Sequence, residues 1–249
     1  MRQQLRLFCT ALTFFTRLPV SRWAGADTAD LNHAARYFSL VGVLVGAVGA
    51  LVYLAAARLL PQELAVLASM AATLWLTGAF HEDGLADAAD GLGGGWTKEQ
   101  ALTIMQDSRL GSYGAIALFL VLLGKFEALS HLPPALLPAV LVAGHALSRF
   151  AAVLVIASQD YVRTEGKAKP LATRLTPGEL LLAGIAGLAP LAWLQPTWLW
   201  ALLPVALIWL WFSRKLQSRL GGYTGDCLGA MQQLCEITFY LGVLACSSI

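Results

Sequence analysis

The chain has 249 residues, 57% of them hydrophobic and only 13% charged, with a net charge of +2. Soluble domains carry about 25% charged residues, so an ordinary soluble fold is excluded. Lys and Arg are scattered among several segments rather than gathered on one face, which excludes a nucleic-acid binder.

Residues 5–18, LRLFCTALTFFTRL, read as an amphipathic helix closed by Pro19. They are too short and too charged to cross a bilayer and suit an interfacial or bundle-edge position. No small-x-small cleavage site follows, so they are not read as a signal peptide.

Seven apolar stretches follow at 38–57, 63–80, 112–130, 136–157, 180–194, 198–212 and 228–247. A span needs about 20 residues. The pair 180–194 and 198–212 is short and meets at Gln195-Pro196, so it is either two spans or a re-entrant pair. In the first stretch, Gly42-x-x-x-Gly46 offers a small-residue face for helix packing, within one chain or between copies, which leaves a homo-oligomer open. The expected fold is all-α: a polytopic membrane protein of about seven transmembrane helices plus an N-terminal amphipathic helix. It is read as a single integral-membrane catalytic domain over residues 1–249.

With the N-terminus in the cytoplasm, Arg58 is the single basic residue in the outside loops, and Lys125 and Arg149 lie within spans. All other Lys and Arg fall inside, as the positive-inside rule requires. The chemically rich loops 81–111, 158–179 and 213–227 then share the cytoplasmic side. Arg163, Lys167, Lys169 and Arg174 in the second of them are either topogenic charge against anionic lipid or a basic rim guiding a phosphate-bearing substrate. The four cysteines, Cys9, Cys227, Cys235 and Cys246, form no C-x-x-C pair and no zinc-like cluster, and read as reduced apolar residues.

Residues 81–95, HEDGLADAADGLGGG, hold four carboxylates within nine residues. On a helix, Asp83, Asp87 and Asp90 stand at i, i+4 and i+7 and share one face. Glu82 is about 100° away and flanks them. Carboxylates so crowded repel one another, and a divalent cation removes that cost. Oxygen-only ligands suit Mg²⁺ or Mn²⁺, and Mg²⁺ completes its shell with water and substrate phosphates. Gly91, Gly93, Gly94 and Gly95 would let backbone approach a phosphate. The bland alternative is an acidic, solvated helix end.

The segment 107–114, DSRLGSYG, adds a carboxylate, an Arg for phosphate and a flexible backbone at an expected helix start, where anions are attracted; the alternative is an ordinary N-cap. The segment 221–226, GGYTGD, precedes the last span; taken alone it reads as a turn with Thr224 or Asp226 as cap. Lys125, Glu127, His145, Arg149 and Glu236 lie inside spans, where ionisable residues face a polar interior. Glu127 is expected to pair with Lys125 or Arg149, and His145 to be a general base or, more simply, a buried hydrogen-bonding partner.

Residues 82–91, 107–114 and 221–230 resemble, in order, three motifs of the cobalamin synthase family of adenosylcobinamide-GDP ribazoletransferases. Residues 12–20 and 36–42 also resemble family segments, so the likeness covers almost the whole chain. The resemblance implies a Mg²⁺-dependent enzyme of the bacterial inner membrane. Its substrates would be adenosylcobinamide-GDP and α-ribazole or its 5′-phosphate, and its products adenosylcobalamin or its 5′-phosphate and GMP. Glu82, Asp83, Asp87 and Asp90 are then the expected metal set. Asp107 would be a further ligand or the base, Arg109 would hold phosphate, and Asp87 is placed with them in catalysis. Gly93, Gly94, Ser112, Thr224 and Asp226 are the expected remaining substrate contacts. Asp87-Ala88-Ala89-Asp90-Gly91 also resembles the opening of the CDP-alcohol phosphotransferase motif, but the Ala-Arg pair that should follow is absent. A transporter would place its acids at the bilayer midplane rather than at a helix end.

Overall fold

The computed structural model describes residues 2–25, 28–163 and 175–247. The chain is built from helices: α1 (Arg2–Phe15), α2 (Thr28–Ala34), α3 (Phe38–Ala56), α4 (Gln62–Thr77), α5 (Phe80–Gly94), α6 (Lys98–Ile104), α7 (Ser112–Ser130), α8 (Leu137–Ser158), α9 (Pro177–Leu188), α10 (Leu202–Leu220) and α11 (Gly225–Ser247). No strand forms among the described residues; one isolated bridge pairs Tyr161 with Tyr223. The expected basic rim at Lys167, Lys169 and Arg174 lies outside the described residues.

Helix α8 is the central post, with 83% of its most apolar window buried, whereas α7 at 28% and the 196–220 segment at 22% lie at the rim. Rim residues such as Trp75, Phe119, Leu181 and Trp200 are exposed, as an apolar face turned to lipid would be. The small-residue face on α3 is used inside the chain. A Cβ on Gly42 would lie 2.3 Å from the His145 carbonyl oxygen, and one on Gly46 would lie 2.6 Å from the Val142 Cα. The backbones of α3 and α8 can approach this closely because neither position carries a side chain.

The span count differs from the seven expected. Among the described residues, five helical segments are long and apolar enough to cross, 30–56, 112–130, 137–158, 196–220 and 225–247, and the bent pair α4–α5 makes up to a sixth. The stretch 63–80 ends early, because Gly78 (φ +66°) and Ala79 (φ +54°) are both left-handed. Two such residues in a row turn the chain by 84° between α4 and α5, and a left-handed alanine is costly enough to need tertiary support. If α4 crosses the bilayer, α5 runs nearly along the membrane plane, outside the spanning helices. The segment 177–193 is a shorter apolar helix, because α9 passes into a 3₁₀ turn at Ala189–Trp193 that contains Pro190. Its partner after Gln195-Pro196 extends as far as Leu220.

Candidate functional site

The site forms where α5 crosses α11. A Cβ on Gly84 would lie 3.0 Å from the Asp226 carbonyl oxygen, and one on Gly229 would lie 3.0 Å from the His81 carbonyl oxygen. Glycine at both positions permits this approach. It sets Asp83 and Asp87, one helical turn apart on α5, beside Asp226 in the first turn of α11. All three line one cavity of about 270 Å³.

Thr224 is fully buried and caps α11: its hydroxyl accepts from the Cys227 amide at 3.3 Å. Its predicted substrate contact is thus occupied by a helix start, the role that the turn reading gave it. Arg163 reaches the cavity from the other side. Val162 N–H donates to the Tyr223 carbonyl and Tyr223 N–H to the Asp160 carbonyl, each at 3.0 Å. This pins the end of α8's connection against the turn before α11 and leaves Arg163 Nη2 2.8 Å from Asp226 Oδ2.

Burial, then repulsion from Asp226 and Asp83, pushes the Asp87 carboxyl up to about 7, with Arg163 opposing. Half-buried negative charge without enough compensation is what a cation would relieve. Among the described residues, no three His, Cys, Asp or Glu side chains stand close enough to chelate an ion, so the cluster is not a closed cage. It is an open set of oxygen donors beside a cavity. That fits Mg²⁺, which takes one or two carboxylates and fills its shell with water and phosphate.

The rest of the expected metal set is drawn elsewhere. Asp90 accepts hydrogen bonds from the backbone N–H groups of Gly111 (2.8 Å) and Gly114 (2.9 Å). Its carboxylate thereby secures the start of α7, where the helix dipole also favours it. Glu82 accepts from Gln233 Nε2 at 2.7 Å and does not line the acidic cavity. Helical spacing placed Asp90 on the right face; the arrival of α7 over that end of the face decided its partner.

Asp107 and Arg109 hold each other, with Arg109 Nη2 2.6 Å from Asp107 Oδ2. Hydrogen bonds from the Arg109 side chain and backbone lower the Asp107 carboxyl to about 2. In this arrangement Asp107 is a weak base, Arg109 spends its Nε–Nη2 edge on Asp107 while Nη1 makes no such contact, and neither residue lines the cavity. Ser112 is exposed at the start of α7. Close packing accounts for Gly91 and Gly93, where a Cβ would lie 2.4 Å from Met105 Cγ and 2.7 Å from the Tyr113 ring; at Gly94 a Cβ would make an ordinary contact of 3.5 Å with Ile104 Cδ1.

Beneath the acidic cluster runs a buried polar network. Lys125 Nζ lies 2.7 Å from both Glu236 Oε1 and Gln233 Oε1, and His145 Nδ1 lies 3.0 Å from Glu236 Oε2. Lys125 therefore pairs with Glu236 rather than with Glu127, which is exposed near His131. Glu127 follows Lys125 by two positions on α7 and so points to another side of the helix. His145 is a buried partner of Glu236, the simpler of its two expected roles.

Motif reading missed the opposite wall of the cavity. Phe14, Phe15, Phe38 and Phe80 line it, with Phe15 stacked on His81 at 5.2 Å between ring centroids. Arg149 and Gln232 line it too. The available signal was the adjacent Phe14-Phe15 pair on an amphipathic helix beside a membrane enzyme's acidic loop. Spacing alone does not say which distant helix such a pair meets. The four cysteines are free, and three of them, Cys9, Cys227 and Cys235, are buried as expected.

The model of the cobalamin-5-phosphate synthase family matches residues 7–244. A relative from Ralstonia pickettii named adenosylcobinamide-GDP ribazoletransferase is 51% identical over 252 residues, covering 98% of this chain and 97% of the relative. Relatives of the same name from Shewanella frigidimarina and Shewanella piezotolerans are 47% and 46% identical, covering 98% of this chain and 95% and 96% of their own. No solved structure matches. With its acidic cavity and its match from end to end, this chain belongs to the cobalamin-5-phosphate synthase family.

Proposed function

We propose that this protein joins adenosylcobinamide-GDP to α-ribazole, or to α-ribazole 5′-phosphate, releasing GMP and giving adenosylcobalamin or its 5′-phosphate. The observation that carries this reading is the family match over residues 7–244 together with the name shared by relatives at 46–51% identity. In the reaction, the ribazole 3′-hydroxyl oxygen forms a bond to the phosphorus that carries cobinamide. The bond from that phosphorus to the bridging oxygen breaks, and GMP leaves with that oxygen. The hydroxyl proton passes to a cavity carboxylate or to solvent.

One or two of the carboxylates of Asp83, Asp87 and Asp226 would hold Mg²⁺, which supplies charge neutralisation and alignment of a diphosphate. The aromatic wall offers a face for a flat heterocycle, and the buried position of α5's inner face limits water. Asp107 and Arg109 would act on substrate only after exchanging their mutual contact for it. The placement of the site on the cytoplasmic side of the bacterial inner membrane is what the family resemblance and the Lys and Arg bias of the seven-span reading imply.

The test is an assay of purified protein with adenosylcobinamide-GDP and α-ribazole, with and without Mg²⁺. Release of GMP together with a completed corrinoid product is expected, stopped by EDTA and restored by Mg²⁺. Turnover without metal would remove the ion from the reading, and CMP release from a CDP-alcohol would replace the substrate class.

A further inference from the structure

Arg149 is a cation buried deep in the protein, only 2% exposed, on the central helix α8. A guanidinium carries five N–H donors in a planar fork. Here Nη1 donates to the His145 carbonyl at 3.0 Å and lies 3.3 Å from His145 Nδ1. Nε is buried with no hydrogen-bond partner among the described residues. The two carboxylates that attract it, Glu236 and Glu82, form no ion pair with it, although Glu82 Oε2 is itself buried without a hydrogen-bond partner among the described residues. Glu236 contacts Lys125 and His145, and Glu82 accepts from Gln233. Among the described residues, no carboxylate forms an ion pair with Arg149.

A buried charge left without a close counter-ion is expensive. Arg149 nonetheless lines the same cavity as Asp83, Asp87 and Asp226. His81, also on the wall, has its Nε2 buried and without a partner among the described residues. The cavity thus has an acidic side on its more exposed rim and, on its buried side, a guanidinium with N–H groups to spare beside an unpartnered imidazole nitrogen. A diphosphate with a bound divalent ion has the matching two sides: the metal turns toward carboxylates, and the remaining phosphate oxygens need N–H donors.

We propose that Arg149 binds a phosphate oxygen of the substrate's diphosphate, donating from the part of its guanidinium that no protein group occupies. The proposal rests on the diphosphate substrate of the reading above. It gives the principal phosphate contact to a spanning helix rather than to Arg109, whose side chain is 87% exposed and clasped to Asp107. Arg163 also lines the cavity and has a buried Nε without a hydrogen-bond partner among the described residues, but unlike Arg149 it has a carboxylate counter-ion, Asp226, at 2.8 Å.

The experiment compares wild type with Arg149→Lys and Arg149→Gln in detergent with Mg²⁺, using inorganic pyrophosphate as a competing probe. Wild-type turnover tests the proposed function; the variants test Arg149. Arg149→Lys keeps the charge but loses the fork, and its KM for adenosylcobinamide-GDP and its inhibition constant for pyrophosphate should rise roughly tenfold. Arg149→Gln should lose about a hundredfold in kcat/KM, with the KM for α-ribazole changed less than about twofold. Variants that melt like wild type and keep both the KM for adenosylcobinamide-GDP and pyrophosphate inhibition within about twofold overturn the proposal. So does a loss spread equally over both substrates. Should both variants fail to fold, a structure of wild type with Mg²⁺ and pyrophosphate decides. A phosphate oxygen within about 3.2 Å of the Arg149 guanidinium supports the proposal; pyrophosphate bound away from it, or absent from the cavity, overturns it.

Discussion

Gly84 of α5 and Gly229 of α11 face each other so closely that a Cβ added to either would lie 3.3 Å from the other's Cα. That contact sets how far Asp83 and Asp87 stand from Asp226. A side chain at either position must push the helices apart or tilt them. Gly84→Val is therefore expected to destabilise the protein by about 1–3 kcal/mol, the usual cost of overpacking. It should also weaken Mg²⁺ binding, because it spreads the carboxylates. Thermal melting in detergent and a Mg²⁺ titration of activity check both; unchanged metal dependence would show that the crossing does not tune the site.

Asp87 and Asp90 resemble each other in sequence but should fail in different ways. Asp87→Asn removes one of several repelling charges, so the metal-free protein should be at least as stable as wild type, while turnover falls by about a hundredfold. Asp90→Ala removes the acceptor for two backbone N–H groups at the start of α7. It should cost about 1–2 kcal/mol of stability. Melting curves set beside initial rates separate the two, and the same pattern for both variants would contradict the division of labour.

The Asp87 carboxyl, pushed up to about 7, makes metal binding compete with a proton. Mg²⁺ affinity should therefore rise between about pH 6 and pH 8 and release protons as it binds. The sign for folding is the reverse. A carboxyl raised in the folded state favours the fold at low pH, and that contribution is lost as pH climbs from the unfolded value through about 7. Metal-free protein should thus lose stability over this window, and Mg²⁺ should restore it. Melting at several pH values with and without Mg²⁺ checks this; Asp87→Asn should flatten the dependence.

Lys125 and Glu236 are each buried, and each is the other's close ion partner. Lys125→Met leaves Glu236 short of one counter-charge, and a loss of about 3–5 kcal/mol is expected. Replacing both, as Lys125→Met with Glu236→Gln, should recover part of that loss. Equal melting temperatures for the single and double variants would show that the two do not act as a pair.

The acidic segment illustrates where sequence reading succeeds and where it stops. Helical period placed Asp83 and Asp87 together correctly, because i and i+4 lie on one face whatever the helix meets. The same period grouped Asp90 with them, yet α7 arrives over that end of the face and takes the Asp90 carboxylate for its own amides. Asp226 read best as a turn residue in isolation, and it joins the cluster because α5 and α11 cross at glycines. Asp107 and Arg109 are two residues apart in a loop and pair with each other, a local contact that the motif reading did not anticipate.

Composition and apolar run length alone determined that this is a helical membrane protein, since lipid tolerates backbone only when its polar groups are paired within the segment. The order of the motifs determined its family resemblance. Tertiary structure alone decided the 84° turn after α4, the pairing of Lys125 with Glu236, and the meeting of α1's phenylalanines, Arg149 and three aspartates around one cavity. Each of these depends on which helix faces cross in space, and contacts between residues far apart in the chain leave no fixed period in the sequence.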